Sequence, residues 1–190
     1  GGTLDEFTTG LKESFATPGD TWQYVSIDTH VIGMVVRGAT GRDVPSSLAE
    51  KILAPLGLER DGYYITDGAD VAFVLGGLNF TTRDFARFGQ MIAQNGSYSG
   101  KQIVPADWIS ESTQASAPTK PGKTKYGYQW WVPSDASEGE FFARGVYGQY
   151  IYIDQARGVV ITATGADRKF RENGVNRSNI EMFRKLAKIL

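Results

Sequence analysis

The chain has 190 residues, a length that suits one domain of ordinary size or a large part of a bigger one. Its 20 Lys and Arg residues balance 21 Asp and Glu residues, so no overall basic field exists to attract nucleic acid or an anionic membrane. The absence of Cys excludes disulfides and thiol nucleophiles, and a single histidine, His30, excludes a metal centre built from several imidazoles.

The first half of the chain predicts helices, because apolar residues recur there at helical spacing. Ser26 is a candidate N-cap for a first helix that ends near Gly38 and Gly41. The apolar positions of this helix are Ile27, Val31, Ile32 and Val35. A second helix is predicted to start at Pro45 and to stop before Pro55.

The third predicted helix has the clearest signals. Thr81 or Thr82 can cap its start, and Gly96 can close its end. Its predicted buried stripe consists of Phe85, Phe88, Met91 and Ile92. A fourth, shorter helix is indicated over residues 105–109.

The second half of the chain predicts a sheet. It follows a segment at 115–125 that is rich in Pro, Lys, Thr and Gly and should form an exposed loop. Alternating aromatic and β-branched residues predict strands at residues 126–132, 140–147, 149–154 and 159–164. The turn residues at 154–158 make the last two strands antiparallel neighbours. An amphipathic helix at 176–190, with apolar Ile180, Phe183, Leu186 and Ile189, should lie on this sheet.

The predicted fold class is therefore α+β, with an antiparallel β-sheet flanked by helices. The helical region covers about residues 1–115, and the sheet with its terminal helix covers about 126–190. The longest apolar runs, such as residues 31–36, are far shorter than the roughly 20 residues of a membrane span.

A first candidate for chemistry is the segment Tyr24-Val25-Ser26, just before a predicted helix N-terminus. A tyrosine hydroxyl at such a place can exchange a proton with a nucleophile. Bringing a phenol from a pKa of roughly 10 to neutrality needs about 4 kcal/mol, and a helix end supplies only about 0.3 to 1 kcal/mol. A nearby cation would have to supply the rest. The alternative is that Tyr24 is a half-buried aromatic residue with its hydroxyl bonded to the backbone.

A second candidate is Gly148, in the glycine-flanked segment 144–149 of a predicted strand. A glycine there leaves space for a ligand along the strand edge, and the backbone N–H of Gln149 could then point at a developing oxyanion. The alternative is a β-bulge or a packing glycine.

Two further features have weaker functional interpretations. His30 lies one residue from the apolar stripe of the first helix, a position more typical of a structural or surface residue than of a base. The aromatic residues Tyr126, Tyr128, Trp130 and Trp131 could form a platform for a sugar or an acyl chain, although their alternation places some of them in the core.

Taken together, four stretches resemble the serine β-lactamase-like hydrolases and are most similar to class C-type esterases and 6-aminohexanoate-dimer hydrolases. They are residues 22–29, 76–89, 126–131 and 145–154, which follow the family's order over nearly the whole chain. The resemblance implies that the chain is part of a β-lactamase/penicillin-binding transpeptidase-like fold.

The resemblance also implies roles for individual residues. Members of this family use a Ser-x-x-Lys nucleophile motif, a Tyr-x-Asn or Tyr-x-Ser motif, and a Lys-Thr-Gly-like strand. Tyr24 would transfer protons and Ser26 would give polar support or contact the substrate. In the third motif Tyr147 and Gly148 would contact the substrate, with only the glycine retained, and the N–H of Gln149 would follow as an oxyanion donor. Losing the lysine and threonine there removes partners for a substrate carboxylate, which favours esters or uncharged amides over penicillin-like substrates.

No serine in these 190 residues is followed three positions later by lysine, and the first residue is Gly rather than Met. The resulting hypothesis is that the chain is the C-terminal part of a single β-lactamase-like domain. Its partners would then be a small ester or amide and an N-terminal segment that carries the nucleophile, with no metal or organic cofactor. On this hypothesis the chain alone is inactive.

Two other functions remain open at the level of sequence. The chain could be a non-catalytic binding or regulatory module of the same fold, because fold alone does not fix function. It could also be a carbohydrate-binding protein that uses the face of Trp130 and Trp131.

Overall fold

The computed structural model describes residues 2–190 and divides into two compact units. The first unit ends at Thr81, and the second comprises Thr82–Leu190. The loop predicted at residues 115–125 is mostly exposed and lies within the second unit. Over residues 2–190, no helix combines the length and the apolarity that crossing a bilayer would require.

The first unit is mainly helical. Its helices are α1 (Leu4–Gly10), α2 (Ser26–Thr40), α3 (Val44–Leu48), a π-helical turn (Ala49–Leu53) and α4 (Ala54–Leu56). Strands β1 (Tyr63–Tyr64) and β2 (Leu78–Asn79) pair antiparallel. The sequence patterns above predict α2 and the start of α3, whereas α1 and the small sheet are additional.

Helix α1 is held at its start by a capping box. The Glu6 N–H donates to Thr3 Oγ1 over 3.1 Å, and the Thr3 N–H donates back to Glu6 Oε2 over 2.9 Å. The Thr-x-x-Glu spacing is the sequence signal for such a cap. This signal could have located the helix.

Helix α2 has the predicted length but a different buried face. Ser26 is its first helical residue rather than its cap, and Gly41 closes it with a φ of 65°. The stripe predicted from sequence is exposed: Val31 by 41%, Ile32 by 52% and Val35 by 63%. With Val36 these residues form what we call the exposed α2 face.

The buried side of α2 contains His30 and Gly33. A Cβ at Gly33 would lie 2.7 Å from Cγ2 of Val74, so any larger residue on this side would force Val74 to shift. The sequence pattern predicted that the aliphatic side of α2 would be buried. That prediction is wrong because burial depends on which elements pack against the helix, and periodicity does not show them.

The predicted stop before Pro55 is wrong. Asp43 caps α3 by accepting the Ser46 N–H over 2.7 Å, and helical backbone then continues to Leu56. Within the π-helical turn, the Ala54 N–H donates to the Ala49 carbonyl five residues earlier. Pro55 therefore falls in the first turn of α4, where a missing N–H costs little.

The second unit is a helix-flanked sheet. Its helices are α5 (Thr82–Ala93), α6 (Ala106–Ser112) and α7 (Val175–Ala187), and a small hairpin pairs β3 (Ser97–Tyr98) with β4 (Lys101–Gln102). The main sheet is antiparallel throughout, in the order β5-β6-β7-β8-β9. Its strands are β5 (Lys125–Tyr126), β6 (Trp131–Val132), β7 (Glu140–Gly145), β8 (Gln149–Asp154) and β9 (Val159–Ala163).

Strand β8 is the centre of this core, because a helix covers each of its faces. On one face, Phe183 of α7 packs against Tyr150 and Tyr152, with ring centroids 5.4 and 5.6 Å away. On the other, α5 approaches so closely that a Cβ at Gly89 would lie 2.8 Å from Cγ2 of Ile151. Because side chains alternate along a strand, one face of β8 packs against α7 and the other against α5. The predicted α+β class and the antiparallel sheet are confirmed.

Residues 126–132, predicted as one strand, form two strands with a tight turn between them. The Gly127 N–H donates to the Trp130 carbonyl over 2.9 Å, and Gln129 has a φ of 70°. A Cβ at Gly127 would lie 2.2 Å from the Gln114 carbonyl oxygen, so only glycine fits there. The chain reverses at this glycine instead of extending.

Helix α7 begins close to its predicted start and buries Ile180 and Phe183 as predicted. Leu186 and Ile189, predicted on the same buried stripe, are exposed by 39% and 78%. The helix ends at Ala187, so Ile189 lies beyond its last turn.

Candidate functional site

Tyr24 lies in irregular backbone just before α2, and 45% of the residue is exposed. Ser26, the first residue of α2, is exposed as well. The structure therefore leaves both side chains accessible to a second molecule. Access is the first requirement for a proton-transfer residue.

The start of α2 favours an anionic group. Val25 makes no side-chain cap, so the first N–H groups of the helix lack the partner that a capping side chain would give. These N–H groups and the helix dipole typically favour a nearby anion by about 0.3 to 1 kcal/mol. Asp28, in the first turn, already places one negative charge near these N–H groups.

Residues 146–148 form a turn rather than a strand. Strand β7 ends at Gly145, and Val146–Gly148 is a single 3-10 turn in which Tyr147 and Gly148 have φ values of 60° and 88°. The prediction that Gly148 lies in a strand edge is wrong, because the turn joins β7 to β8, and β8 is flanked by β7 and β9. Two left-handed residues in succession cannot continue a strand.

Hydrogen bonds with residues 165–167 hold this turn in place. The Asp167 N–H donates to the Tyr147 carbonyl over 3.0 Å. The Gln149 side chain donates from Nε2 to the Gly165 carbonyl over 2.5 Å and accepts the Gly165 N–H at Oε1 over 3.3 Å. The amide of Gln149 therefore positions the turn.

Tyr147 presents its side chain outward. It is 49% exposed and meets Phe170 in an edge-to-face contact with centroids 5.3 Å apart. A rigid, half-exposed phenol of this kind suits contact with a substrate.

The predicted site residues fall into two groups. Tyr24 and Ser26 are brought together at the start of α2, in the first unit. Tyr147, Gly148 and Gln149 are brought together in the turn before β8, in the second unit. The role of each residue stays a prediction.

A polar cluster around His30 was not predicted. His30 is 1% exposed, and its Nε2 lies 2.8 Å from Oδ1 of Asp5 on α1. Arg37 Nη2 donates to both oxygens of the same carboxylate, over 2.8 and 2.9 Å. The hydrogen bond from Arg37 lowers the pKa of Asp5 most, desolvation opposes it, and the hydrogen bond from His30 adds to the lowering. The expectation of a structural histidine fits this burial, but its partner lies on a helix that sequence reasoning missed.

The aromatic face considered for sugar binding is part of the core. Trp130 and Trp131 are 8% and 9% exposed. Trp130 packs edge-on against Phe141 at 5.1 Å, and Trp131 packs against Tyr126 at 4.8 Å. These two indole rings therefore cannot stack on a sugar.

Comparison with known proteins gives a consistent result. The Beta-lactamase family model matches residues 5–177. The 6-aminohexanoate-dimer hydrolase of Paenarthrobacter ureafaciens is 31% identical over 166 residues, which cover 82% of this chain and 41% of that protein.

Solved structures agree on the fold. A candidate 6-aminohexanoate-dimer hydrolase from Bacillus anthracis is 29% identical with a TM-score of 0.85, covering 97% of this chain and 48% of that one. A candidate beta-lactamase from Bacteroides dorei is 22% identical with a TM-score of 0.76, covering 98% of this chain and 64% of that one, and supports the fold alone. The chain spans about half the length of the curated relatives it matches. With the family model matched over most of its length, the chain belongs to the beta-lactamase family of hydrolases.

Proposed function

We propose that the protein containing this chain is a serine hydrolase that cleaves an ester or an amide through an acyl-serine intermediate. One observation carries the proposal: an accessible Tyr-x-Ser segment stands at the N-terminus of α2 in a chain matched by the family model over residues 5–177. The Ser-x-x-Lys nucleophile motif does not occur in the 190 residues, and we place it on a preceding segment.

The exposed α2 face supports a preceding segment. Val31, Ile32, Val35 and Val36 are 37–63% exposed and lie side by side on one helix. Contiguous aliphatic surface of this kind normally packs against protein. Relatives of about twice this length contain enough additional chain to cover it.

The proposed reaction has two half-reactions. The serine Oγ attacks the substrate carbonyl carbon, and its proton passes to Tyr24 or to the lysine beside it. Two backbone N–H groups, one of them from Gln149, stabilise the negative oxygen of the tetrahedral intermediate. The intermediate expels an alcohol or amine, which takes that proton, and an acyl-serine remains. Water then attacks the acyl carbon and gives a proton to the same base, which returns it to the serine Oγ as the acid leaves.

The turn before β8 argues for uncharged substrates. Val146 and Tyr147 stand where the family resemblance places a lysine and a threonine, so that turn has neither cation nor small hydroxyl for a substrate carboxylate. The half-exposed Tyr147 ring offers an apolar surface instead. Esters and uncharged amides fit this surface better than anionic penicillin-like molecules.

Labelling with a fluorophosphonate tests the proposal. In the full-length protein, the serine Oγ should displace fluoride from the probe, and peptide mass spectrometry should locate the adduct in a Ser-x-x-Lys sequence before this chain. This chain produced alone is the matched control and should stay unlabelled. An adduct on Ser26, or a full-length protein that resists the probe, would contradict the proposal, and resistance would favour a non-catalytic module.

A further inference from the structure

Tyr147 has a backbone conformation that its residue type disfavours. Its φ and ψ are 60° and 21°, in the left-handed region where Gly, Asn and Asp are tolerated and a bulky side chain is strained. Among residues 2–190 it is the only aromatic residue with a positive φ. Asn or Gly would adopt this conformation at a lower cost, so folding alone does not explain a tyrosine at this position.

Burial of the side chain does not explain the tyrosine either, because Tyr147 is 49% exposed. Its backbone, in contrast, is held firmly. The Asp167 N–H donates to the Tyr147 carbonyl over 3.0 Å, and a Cβ at Gly165 would lie 3.1 Å from the same oxygen. The surroundings therefore fix the strained conformation and leave much of the ring open to a second molecule.

Phe170 sets the direction of the Tyr147 ring. The two rings meet at 62° with centroids 5.3 Å apart, which is an edge-to-face contact. The Arg171 guanidinium carbon lies over the Phe170 ring, 5.1 Å from its centre. Phe170 is partly buried, so Tyr147 is the more accessible member of the pair. We call Tyr147 and Phe170 the aromatic corner.

The aromatic corner favours an aromatic ligand. Aromatic rings gain from edge-to-face or offset contact in addition to the area that they bury. A ring that is already held in place by Phe170 loses little conformational freedom when it binds. Val146, exposed by 52% in the same turn, extends the apolar surface. An aromatic group should therefore bind here better than an aliphatic group of equal size.

We infer that Tyr147 determines specificity by contacting an aromatic acyl group of the substrate, and that Phe170 positions its ring. The inference rests on the proposed function, in which the N–H of Gln149 binds the oxygen of the scissile carbonyl. Gln149 follows Tyr147 by two residues, which span at most about 7 Å of backbone. A ring attached to the carbonyl carbon can therefore reach Tyr147. The substrate class is then an ester or uncharged amide of an aromatic acid.

Inhibition of the full-length protein by two boronic acids tests the inference, with p-nitrophenyl acetate as the assay substrate. The serine Oγ adds to boron, which takes the place of the carbonyl carbon, and the organic group takes the place of the acyl group. Phenylboronic and cyclohexylboronic acid carry six-carbon rings, of which only the first is aromatic. The ratio of their inhibition constants, cyclohexyl over phenyl, should be at least about threefold higher in wild type than in Tyr147→Asn. Comparing ratios between proteins cancels the different acidities of the two compounds.

Three variants separate contact with the ligand from a role in folding. Because Asn tolerates a positive φ, Tyr147→Asn should keep the turn and the wild-type melting temperature. Phe170→Leu keeps an apolar side chain without the ring contact, and should lower the ratio about twofold. Trp108→Asn is the matched control, at an aromatic residue of α6 that is 51% exposed, and should keep the wild-type ratio.

The possible failures are distinguishable. An equal ratio in wild type and Tyr147→Asn, with inhibition intact, would overturn this inference and leave the proposed function standing. A lower ratio in Trp108→Asn as well would overturn it too, because the effect would not belong to the aromatic corner. A full-length protein that neither boronic acid inhibits and that hydrolyses no ester or amide would overturn both the proposed function and the role of Tyr147.

Discussion

Arg184 on α7 makes two hydrogen bonds with the buried carboxylate of Glu140 on β7, from Nε to Oε1 over 2.6 Å and from Nη2 to Oε2 over 2.9 Å. Tyr152 on β8 donates its hydroxyl to Oε1 of the same glutamate over 3.0 Å. Glu140 is only 4% exposed, so nearly all its partners are protein groups. This pair is one polar link between the terminal helix and the sheet, beside the hydrogen bond from the Tyr150 hydroxyl to Asn176 Oδ1.

Removing Arg184 should leave a buried carboxylate without its countercharge. We expect Arg184→Met to lower the free energy of unfolding by about 3 kcal/mol, since breaking a buried pair typically costs roughly 3 to 5 kcal/mol. Arg177→Met is the matched control on the same helix, because Arg177 is 85% exposed in its pair with Glu181. It should cost no more than about 0.5 kcal/mol. Urea denaturation measures both, and equal losses would contradict the prediction.

Asp5 should make stability depend on pH in the acid range. Its pKa in the folded chain is lowered, chiefly by the hydrogen bond from Arg37, so the unfolded chain binds the proton more readily. The stabilisation is present above the ordinary carboxyl value of about 3.9 and disappears as the pH falls through the folded value. Asp5→Asn should therefore lose less stability than wild type between about pH 5 and pH 2.

Arg37→Gln removes the main cause of the lowered pKa of Asp5. The stability of this variant should therefore also vary less with pH over the same acid range. Thermal unfolding at a series of pH values measures all three proteins. Parallel wild-type and Asp5→Asn curves would show that the pair does not contribute.

Two glycines in helices should respond oppositely to alanine. A Cβ at Gly89 would lie 2.6 Å from Cγ1 of Val160 and 2.8 Å from Cγ2 of Ile151, whereas a Cβ at Gly38 would meet nothing within 4 Å. Gly89→Ala should destabilise by about 1 kcal/mol or more, because overpacking of roughly 1 to 3 kcal/mol exceeds the gain in helix propensity. Gly38→Ala should stabilise by about 0.5 to 1 kcal/mol. Stabilisation of both in urea denaturation would mean that α5 can move away from the sheet.

Tyr24→Phe should lower catalytic activity without lowering stability. In the full-length protein, loss of the hydroxyl should lower kcat for an ester or amide substrate by about 10²- to 10⁴-fold, since it removes a proton-transfer group. The melting temperature should change little, because the residue is 45% exposed. Tyr63→Phe, at a residue 65% exposed in β1, serves as the control and should keep wild-type turnover. Wild-type turnover in Tyr24→Phe would remove this residue from the mechanism.

Elements with a strong apolar pattern in their own sequence are predicted well. The structure confirms α5, the hairpin of β8 and β9, and the location of α7. Met91 and Ile92 of the predicted α5 stripe are buried, whereas Phe85 and Phe88 are only partly buried. The alternation of β8 encodes two faces, and helices of the same unit cover both. Local periodicity therefore defines the element and part of its buried side.

The errors have specific physical causes. Pro55 continues a helix because a π-helical turn precedes it, and Tyr147 adopts a left-handed conformation that its residue type does not favour. Neither the π-helical turn nor the left-handed tyrosine can be recognised from the neighbouring residues. At the candidate site, motif resemblance located Tyr24 and Ser26 at the start of α2, but the pairing of His30 depends on Asp5, which lies on a helix recognisable only from its capping box.

The exposed α2 face has a practical consequence for any preparation of this chain alone. Four adjoining aliphatic side chains meet water there, and surface of this kind promotes reversible clustering at high protein concentration. The sedimentation coefficient of the isolated polypeptide should rise with loading concentration. Replacing Ile32 and Val35 with lysine should abolish that rise.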